Sequence, residues 1–325
     1  MKQVGKTDVY ISDLVYGCWQ MGGDYWGEAD DAAARTLVRY AIDKGITTFD
    51  TAYCYGRGRA ESTLGDILTG VNRSSYQMIS KLWMDSLKYE DTIKACEASL
   101  RRLKVDYLDV YFIHYPDRTG TMPISGTMRA LEKLRADGKI RAIGVSNFSL
   151  KQMREASEYG QIDINQPCYN LLWRYIDKKI RPYCIENNIS IIPYSSLAQG
   201  LLTGTYTREN RPVSDGRKLS ALAQEPYYTR AMTVTDEVVR IAAKYGVSPA
   251  SVALNWNIHQ PGITAPIVGI SRQRDVDDLF TAKALQLEPE DSEALDRVSR
   301  AFCDTMPHFL SLFQPTIIPD PDEDA

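Results

Sequence analysis

Four polar residues whose side chains could together transfer a proton each lie at, or shortly after, the end of an apolar segment. They are Asp50, Tyr55, Lys81 and His114. The three segments that lead to them are short and rich in β-branched and aromatic residues, which predicts buried strands that end at a polar rim. Neighbouring parallel strands lie about 4.8 Å apart, so the residues at their ends converge on one small volume. We therefore predict a site in which a carboxylate, a phenol, an amine and an imidazole meet.

These four side-chain types suit the reduction of a carbonyl group. A carbonyl that receives a hydride becomes an alkoxide and needs a proton, which Tyr55 could donate. A phenol has an ordinary pKa of about 10 and is a sluggish acid near neutral pH, so a nearby Lys81 ammonium is expected to lower that pKa. Asp50 would fix Lys81, and a neutral His114 would orient the carbonyl oxygen. Each residue alone has a structural explanation, such as rim packing or a loop cap, and the combination of all four favours catalysis.

Strand-like and helix-like segments alternate along almost the whole chain. After a hairpin over 3–11, the predicted strands cover 14–18, 46–50, 76–81, 108–114, 140–145, 162–166, 189–194 and 264–268. The predicted helices cover 30–44, 60–69, 90–104, 124–137, 149–158, 177–187, 234–245, a segment that begins at Ser248-Pro249, 275–284 and 290–302. Eight strands with helical crossovers favour an α/β fold of the (β/α)₈ TIM-barrel type over a doubly wound sheet.

No linker divides the chain. We therefore predict a single barrel domain over residues 1–325, with an N-terminal β-hairpin, extra C-terminal helices and a tail from about residue 306. A long segment over 196–231 has no clear period, and loops of that length in compact domains are usually functional or disordered.

The composition argues against several classes of protein. The 325 residues carry a net charge of −4, and their scattered Lys and Arg residues argue against a nucleic acid or an anionic membrane surface as a partner. No apolar run approaches the ~20 residues of a membrane-spanning helix, and the N-terminus lacks the apolar region of a signal peptide. Six widely spaced cysteines indicate reduced thiols, and three distant histidines argue against a metal site. We therefore predict a cytoplasmic enzyme without a metal.

Several longer motifs resemble those of the aldo-keto reductase family and occur in the family's order. They are FDTAYCYG at 49–56, ISK at 79–81, FIH at 112–114, GVSNF at 144–148, NQPCYN at 165–170 and YSSLAQGLLTG at 194–204. The resemblance extends over nearly the whole chain, and it is strongest to the branch that also includes potassium-channel β subunits.

The resemblance implies a barrel with an extended NADP(H) or NAD(H) across the C-terminal rim and a small carbonyl or sugar substrate. By position it implies that Tyr55 is the proton donor, that Lys81 and Asp50 tune it, and that His114 orients the carbonyl. The residues that it implies in cofactor binding are Trp19, Asp50, Ser146, Asn147, Gln166, Tyr194, Ser195, Leu197, Gln199, Gly200, Leu202, Gly269, Ser271, Arg272, Arg274, Asp275 and Asp278. Among these, Ser146, Asn147 and Gln166 would hold the carboxamide, and Tyr194 would stack on the nicotinamide ring.

The adenosine end matches the family less well. Where relatives commonly carry Pro-Glu-Gln and a later Asn, this chain has Gln273-Arg274-Asp275 and Leu279. Arg272 or Arg274 could pair with a 2′-phosphate, because a guanidinium binds phosphate through two hydrogen bonds. Asp275 would repel that phosphate if it pointed inward. The two arginines favour NADP(H), with NAD(H) as the alternative.

The predicted substrate pocket is rich in aromatic residues. It would draw on Trp19, Trp26, Tyr55, Trp83, His114 and Tyr115, with Tyr25, Phe309 and Phe313 as further candidates. Aromatic faces beside polar groups suit sugars or aromatic aldehydes, and rim packing is the competing explanation for several of them. Cys54, next to Tyr55, is interpreted as a packing residue.

Two other functions stay open from the sequence. A cofactor-binding redox sensor, like the channel subunits, would not need a proton relay. A Schiff-base aldolase could use Lys81 on the same barrel, but it would leave the 146–147 and Gln166 motifs unexplained. A Rossmann-type dinucleotide site is not indicated, because the segment from Gly56 lacks the third glycine of GxGxxG.

Overall fold

The structure, a computed structural model, describes residues 1–24, 27–212 and 215–306. Its strands are β1 Lys2–Gln3, β2 Tyr10–Ile11, β3 Val15–Gly17, β4 Thr48–Asp50, β5 Gln77–Leu82, β6 Leu108–Ile113, β7 Ile140–Ser146, β8 Ile164–Gln166, β9 Ser190–Ile191 and β10 Ile267–Gly269. Its α-helices are α1 Asp31–Asp43, α2 Arg59–Leu68, α3 Tyr89–Leu103, α4 Ile124–Ala136, α5 Leu150–Ser157, α6 Ile180–Glu186, α7 Tyr227–Tyr245, α8 Pro249–Ile258, α9 Gln273–Ala284 and α10 Pro289–Cys303.

Eight parallel strands form one curled sheet within the described residues. Their order is β10-β3-β4-β5-β6-β7-β8-β9. The two edges of this sheet meet, because Ile191 forms a parallel bridge with Ile263 and the backbone N–H of Ile267 donates to the carbonyl of Pro193 at 2.9 Å. The predicted (β/α)₈ barrel is confirmed.

Helices cover the outside of the barrel, and the amphipathic ones present an apolar stripe to the strands. In α3, for example, Cys96, Leu100 and Leu103 are buried at the spacing of one helix face, and the half-buried Ile93 packs beside them. Local signals set where helices begin and end. Ser149 caps α5 with a capping box, and Ser248 caps α8 ahead of a proline in its first turn.

The inside of the barrel is filled by its own apolar core. Val15, Ile79, Val110 and Phe112 belong to this core, and so do apolar residues of the predicted N-terminal hairpin, which pairs β1 with β2. The hairpin lies over the amino ends of the strands, where the Gly5 N–H donates to Ser190 Oγ at 2.9 Å. The barrel is therefore closed at one end, and the carboxyl ends of the strands remain for a site.

The segment over 196–231 differs from the sequence prediction. It contains 3₁₀ helices at Ala198–Thr203, Asp215–Leu219 and Ala221–Ala223, and α7 begins at Tyr227, earlier than the predicted start near residue 234. The tyrosine hydroxyl of Tyr228 donates to the carbonyl of Thr207 at 2.6 Å. Tertiary contacts of this kind order a segment whose sequence has no period. The predicted tail lies beyond the described residues.

None of the helices described for this chain combines the length and the apolar character that crossing a membrane requires.

Candidate active site

The carboxyl ends of the barrel strands open into a cleft of about 1140 Å³, which is slightly larger than a typical small-ligand pocket. Most of the residues singled out in the sequence line it. They are Trp19, Asp50, Tyr55, Trp83, His114, Tyr115, Asn147, Gln166, Tyr194, Ser195, Leu197, Gln199, Gly200, Gly269, Ser271, Arg272, Arg274, Asp275 and Asp278. Residues from strands that are far apart in sequence thus share one cavity.

Lys81 is the centre of a buried hydrogen-bond network at the floor of the cleft. Its ammonium group donates to Asp50 Oδ1 at 2.6 Å, to the Thr51 carbonyl at 2.9 Å and to the Tyr55 hydroxyl at 3.2 Å. Gln166 donates to the second carboxylate oxygen of Asp50 at 2.8 Å. The lysine has no exposed surface and does not line the cleft itself. It therefore acts on a ligand through the partners that do line the cleft, Tyr55 and Asp50.

A tight turn after β4 presents Tyr55 to the cleft. Gly56 has a φ of 63°, and a Cβ there would lie 2.1 Å from the carbonyl oxygen of Gly22. Only glycine allows this approach of the two backbones. Asp24 also fixes the turn, because its Oδ2 accepts the Gly56 N–H at 3.0 Å. The phenol position is thus set by backbone contacts as well as by Lys81.

The pKa of Tyr55 differs in direction from the sequence expectation. Burial raises this pKa well above the ordinary value, and the nearby charge of Asp50 adds to the effect. The Lys81 ammonium does not reverse the shift, because it is already paired with the Asp50 carboxylate. The expected net lowering of the pKa is wrong for this structure. Tyr55 therefore keeps its proton at neutral pH, which is the state that a proton donor needs.

His114 follows β6 and is held as a neutral imidazole. Burial, helped by the charge of Lys81, lowers its pKa well below the ordinary value. Its ring lies edge-on to the Tyr55 ring, with centroids 5.8 Å apart. Its Nδ1 lies 3.4 Å from the Cys54 sulfur, and burial raises the pKa of that thiol to about 12. Cys54 thus lines the cleft and contacts the imidazole.

Three polar residues between β7 and the β9 side of the cleft form a second network. Asn147, with a φ of 60°, donates to the His114 carbonyl and to Ser146 Oγ, both at 3.0 Å. It also accepts a hydrogen bond from the Tyr194 hydroxyl at 2.7 Å. Ser146 is buried, donates to the Gln166 carbonyl at 2.7 Å and does not line the cleft. Asn147 and Tyr194 are the members of this network that line the cavity, and Gln166, whose carbonyl accepts from Ser146, lines it beside them.

The segment after Tyr194 makes a series of tight turns along the cleft. Ser195, Ala198, Gln199 and Gly200 all have positive φ angles, between 48° and 99°. The backbone N–H groups of Ala198 and Gly200 donate within these turns, to the carbonyls of Ser195 and Leu197. The buried side-chain amide nitrogen of Gln199 has no hydrogen-bond partner among the described residues. A donor left in this state fits an anionic group that enters the cleft from outside. Leu202 is buried beneath the loop, away from the cavity.

The far end of the cleft is the amino end of α9. Asp275 accepts hydrogen bonds from the backbone N–H groups of Ser271 and Arg272, at 2.8 and 3.1 Å, and from Arg272 Nε at 2.9 Å. Arg274 lies 3.8 Å from Asp278. Leu279, which replaces the expected asparagine, is fully buried. Each arginine of this end is therefore accompanied by a carboxylate of its own helix.

Aromatic rings form the wall beside Tyr55 and His114. Trp19 stacks on Tyr55 with a centroid distance of 5.4 Å, and Trp83 contacts both His114 and Tyr115 edge-on at 5.3 and 5.6 Å. Trp26 and Tyr25, as well as Phe309 and Phe313, lie outside the described residues. The described part of the predicted substrate pocket is thus assembled around the two reactive side chains.

The sequence interpretation missed several residues of the cleft, including Gln20, Asp24, Arg57, Tyr206 and Arg217. Arg217 donates to the Gln199 carbonyl at 3.1 Å and so connects the long segment to the loop after Tyr194. The unusual length of that segment was a signal that could have pointed to Arg217 as a residue of the cleft. The sequence contained no such signal for Asp24, because its role in fixing the turn depends on a hydrogen bond from the backbone of Gly56. Within the described residues no group of acidic, histidine or cysteine side chains could hold a metal ion.

Residues 13–300 match the family model described as the aldo/keto reductase family. In a structural comparison, the glycerol dehydrogenase of Gluconobacter oxydans has a TM-score of 0.82 and 31% identity over 95% of this chain and 98% of its own. An aldo/keto reductase from Klebsiella pneumoniae, solved in complex with NADP and acetate, has a TM-score of 0.74 and 27% identity over 92% and 96% of the two chains. A protein named NADH-specific methylglyoxal reductase, from Escherichia coli strain K12, is 29% identical over 93% of this chain and 99% of its own.

Proposed function

This chain belongs to the aldo/keto reductase family, and from that premise we propose that it is a nicotinamide-dependent oxidoreductase that reduces an aldehyde or ketone to an alcohol, or catalyses the reverse. The observation that carries the proposal is the continuous network from Gln166 through Asp50 and Lys81 to Tyr55. It ends at a protonated phenol on the floor of a cleft, which is where a proton donor for an alkoxide is needed.

The residues of the cleft fit a nicotinamide dinucleotide, NADP(H) or NAD(H). The amides of Asn147 and Gln166 would hold the carboxamide, Tyr194 would lie against the nicotinamide ring, and the loop with the unpaired Gln199 amide would hold the pyrophosphate. When bound, the dinucleotide supplies or accepts the hydride. The relatives named for NADP and for NADH agree with this class of cofactor.

Tyr55 and His114 would complete the reduction at the carbonyl oxygen. The neutral imidazole donates a hydrogen bond that orients this oxygen. The Tyr55 hydroxyl oxygen already accepts a hydrogen bond from Lys81, so its own hydrogen is available to the substrate. Transfer of that proton breaks the phenol O–H bond and forms the alcohol O–H bond. The phenolate that remains lies next to the Lys81 ammonium, which stabilises it until solvent returns a proton.

The residues in the wall of the cleft support a proposal for the substrate class. Trp19, Trp83 and Tyr115 present apolar ring faces, and Asp24, Asp85 and Arg57 add polar groups at the same opening. We propose a sugar-like or aromatic carbonyl compound, because such molecules combine an apolar face with groups that form hydrogen bonds. A glycerol dehydrogenase and a methylglyoxal reductase among the relatives support small polar substrates.

The test compares the wild-type protein with Tyr55→Phe. We would follow oxidation of NADPH and NADH with an activated aromatic aldehyde, 4-nitrobenzaldehyde, and then with glyceraldehyde as a small sugar. Loss of the proton donor should lower kcat by roughly 10²–10⁴-fold, while dinucleotide affinity, measured by quenching of tryptophan fluorescence, should change less than about twofold because the network that faces the cofactor stays.

Tyr76→Phe is the matched control, because Tyr76 is a buried tyrosine outside the cleft. It should retain wild-type turnover. A Tyr55→Phe variant as active as this control would rule out the proton-donor role. A wild-type protein that binds NADPH or NADH but turns over neither aldehyde would instead favour the cofactor-binding redox sensor.

A further inference from the structure

At the amino end of α9, the chain's own carboxylate occupies the groups that would otherwise receive a phosphate. Asp275 accepts the backbone N–H groups of Ser271 and Arg272, and its other oxygen accepts Arg272 Nε. These two N–H groups lie just before the first turn of α9, at the positive end of the helix dipole, where an anion is stabilised. Here they already hold an anion that belongs to the protein.

The charges of this end also cancel. Arg272 pairs with Asp275, and Arg274 lies near Asp278, so two guanidinium groups face two carboxylates on one helix. A phosphomonoester carries a charge of about −1.5 to −2 at neutral pH. A site that selects such a group needs an excess of positive charge, and these four residues do not supply it.

Resting on the proposed function, we infer that Asp275 is a specificity-determining residue, which makes the cleft select a dinucleotide with a free ribose 2′-hydroxyl over one with a 2′-phosphate. All four residues line the same cavity as the buried network, at its opposite end, where the adenosine half of an extended dinucleotide would lie. The inferred preference is for NAD(H), which is the alternative in the sequence interpretation, where the two arginines favour NADP(H).

The preference has a direct electrostatic reason. A carboxylate accepts a hydrogen bond from a ribose hydroxyl, as the acidic residue of other dinucleotide-binding folds does. The same carboxylate repels a phosphate dianion, and it neutralises the Arg272 guanidinium that would otherwise bind that phosphate in a bidentate manner. One charge at a distance of about 4–6 Å is enough to change the relative affinity by roughly tenfold or more.

The experiment measures binding rather than turnover. The probes are 5′-AMP and adenosine 2′,5′-bisphosphate (2′,5′-ADP), which differ only in the 2′-phosphate, and calorimetry gives the ratio of their affinities. The wild-type protein should bind 5′-AMP at least as tightly as 2′,5′-ADP. Asp275→Asn should raise the affinity for 2′,5′-ADP relative to 5′-AMP by roughly tenfold or more. The amide oxygen of an asparagine can still accept the backbone N–H groups that Asp275 accepts, so the variant is expected to fold normally.

A second substitution tests whether Arg272 is the group that Asp275 neutralises. In the wild-type background, Arg272→Ala should alter both affinities by less than about twofold, because the guanidinium is already paired. In the Asp275→Asn background it should remove most of the gained affinity for 2′,5′-ADP. Such non-additivity is expected only of groups that interact.

Asp277→Asn is the matched control, because it removes one negative charge from the same helix at a side chain that accepts the Tyr40 hydroxyl and does not line the cleft. It should leave the affinity ratio unchanged. Two results would overturn the inference, provided that NADH and NADPH still quench the tryptophan fluorescence. One is an equal change in affinity for both probes in Asp275→Asn. The other is a wild-type preference for 2′,5′-ADP that this variant does not increase. If neither dinucleotide binds the wild-type protein, the proposed function itself is wrong.

Discussion

The two ends of the cleft are built from charged residues in opposite ways. At the buried end, Asp50 and Lys81 are 3% and 0% exposed, and they come from different strands. At the outer end, the side chains of Arg272 and Arg274 are 69% and 68% exposed, and their partners lie three or four residues away on the same helix. The buried pair is held by the barrel, whereas the outer pairs are held by one turn of helix.

This difference determines what each end can do. Inside the barrel the charges are fixed and water is excluded, so small changes in protonation or position have large consequences. At the exposed end, solvent and salt screen each interaction, so the charges adjust affinity and choice of ligand in modest steps. Chemistry belongs to the first kind of environment, and cofactor selection can be tuned in the second without disturbing it.

The largest expected effect is that of Lys81→Met, which breaks the buried pair. Among the described residues it leaves the buried Asp50 carboxylate with Gln166 as its one side-chain partner. The loss of one member of a buried ion pair typically costs about 3–5 kcal/mol of unfolding free energy. The same variant should lose nearly all reductase activity. Urea denaturation measures the stability, and the double variant Asp50→Asn/Lys81→Met should recover most of the lost stability.

Arg272→Ala supplies the matched comparison at the exposed end. Removing that guanidinium should leave the urea midpoint unchanged within error, since surface ion pairs contribute little. Equal destabilisation by Lys81→Met and Arg272→Ala would contradict the distinction between the two ends.

A smaller effect is expected from Cys54, which makes a single weak contact at the buried end. The thiol keeps its proton because burial raises its pKa to about 12, so it can donate to His114 Nδ1 and leave the proton of the neutral ring on Nε2. Cys54→Ala should lower kcat roughly two- to tenfold, the value of one hydrogen bond. Cys54→Ser, which keeps a donor, should lose less.

Nitrogen NMR of His114 separates this positioning role from a packing defect. The proton should be on Nε2 in the wild-type protein and in Cys54→Ser, and it should exchange between both nitrogens in Cys54→Ala. A ring that keeps the same tautomer in all three proteins would show that Cys54 only packs.

The smallest expected effect is that of pH on the reduction. Burial lowers the pKa of His114, so the imidazole stays neutral as the pH falls to 6, and burial raises the pKa of Tyr55, so the phenol stays protonated as the pH rises to 9. At saturating substrate and cofactor, kcat should therefore vary less than about twofold between pH 6 and 9. A decline below pH 7 that disappears in His114→Gln would show that the histidine titrates and is not held neutral.

Much of the fold could be predicted because its signals are local. The strand that leads to His114 and the helix that begins after Ser149 are specified by runs of a few residues, through their apolar period, caps and terminating glycines. The start of α7 could not be predicted, because its first turns are ordered by the contact of Tyr228 with Thr207. The local sequence does not encode this contact.

By itself, the sequence determined which chemical groups occupy the strand ends, since a parallel barrel brings those ends to one face whatever the loops do. Only the tertiary structure decided how these groups act on one another. Gln166 reaches Asp50 across 116 positions of sequence, and the sign of the Tyr55 pKa shift depends on how completely the barrel buries the phenol and on Lys81 already being paired. Burial and long-range contacts are properties of the packed chain, because they are set by what surrounds a residue and not by what precedes it.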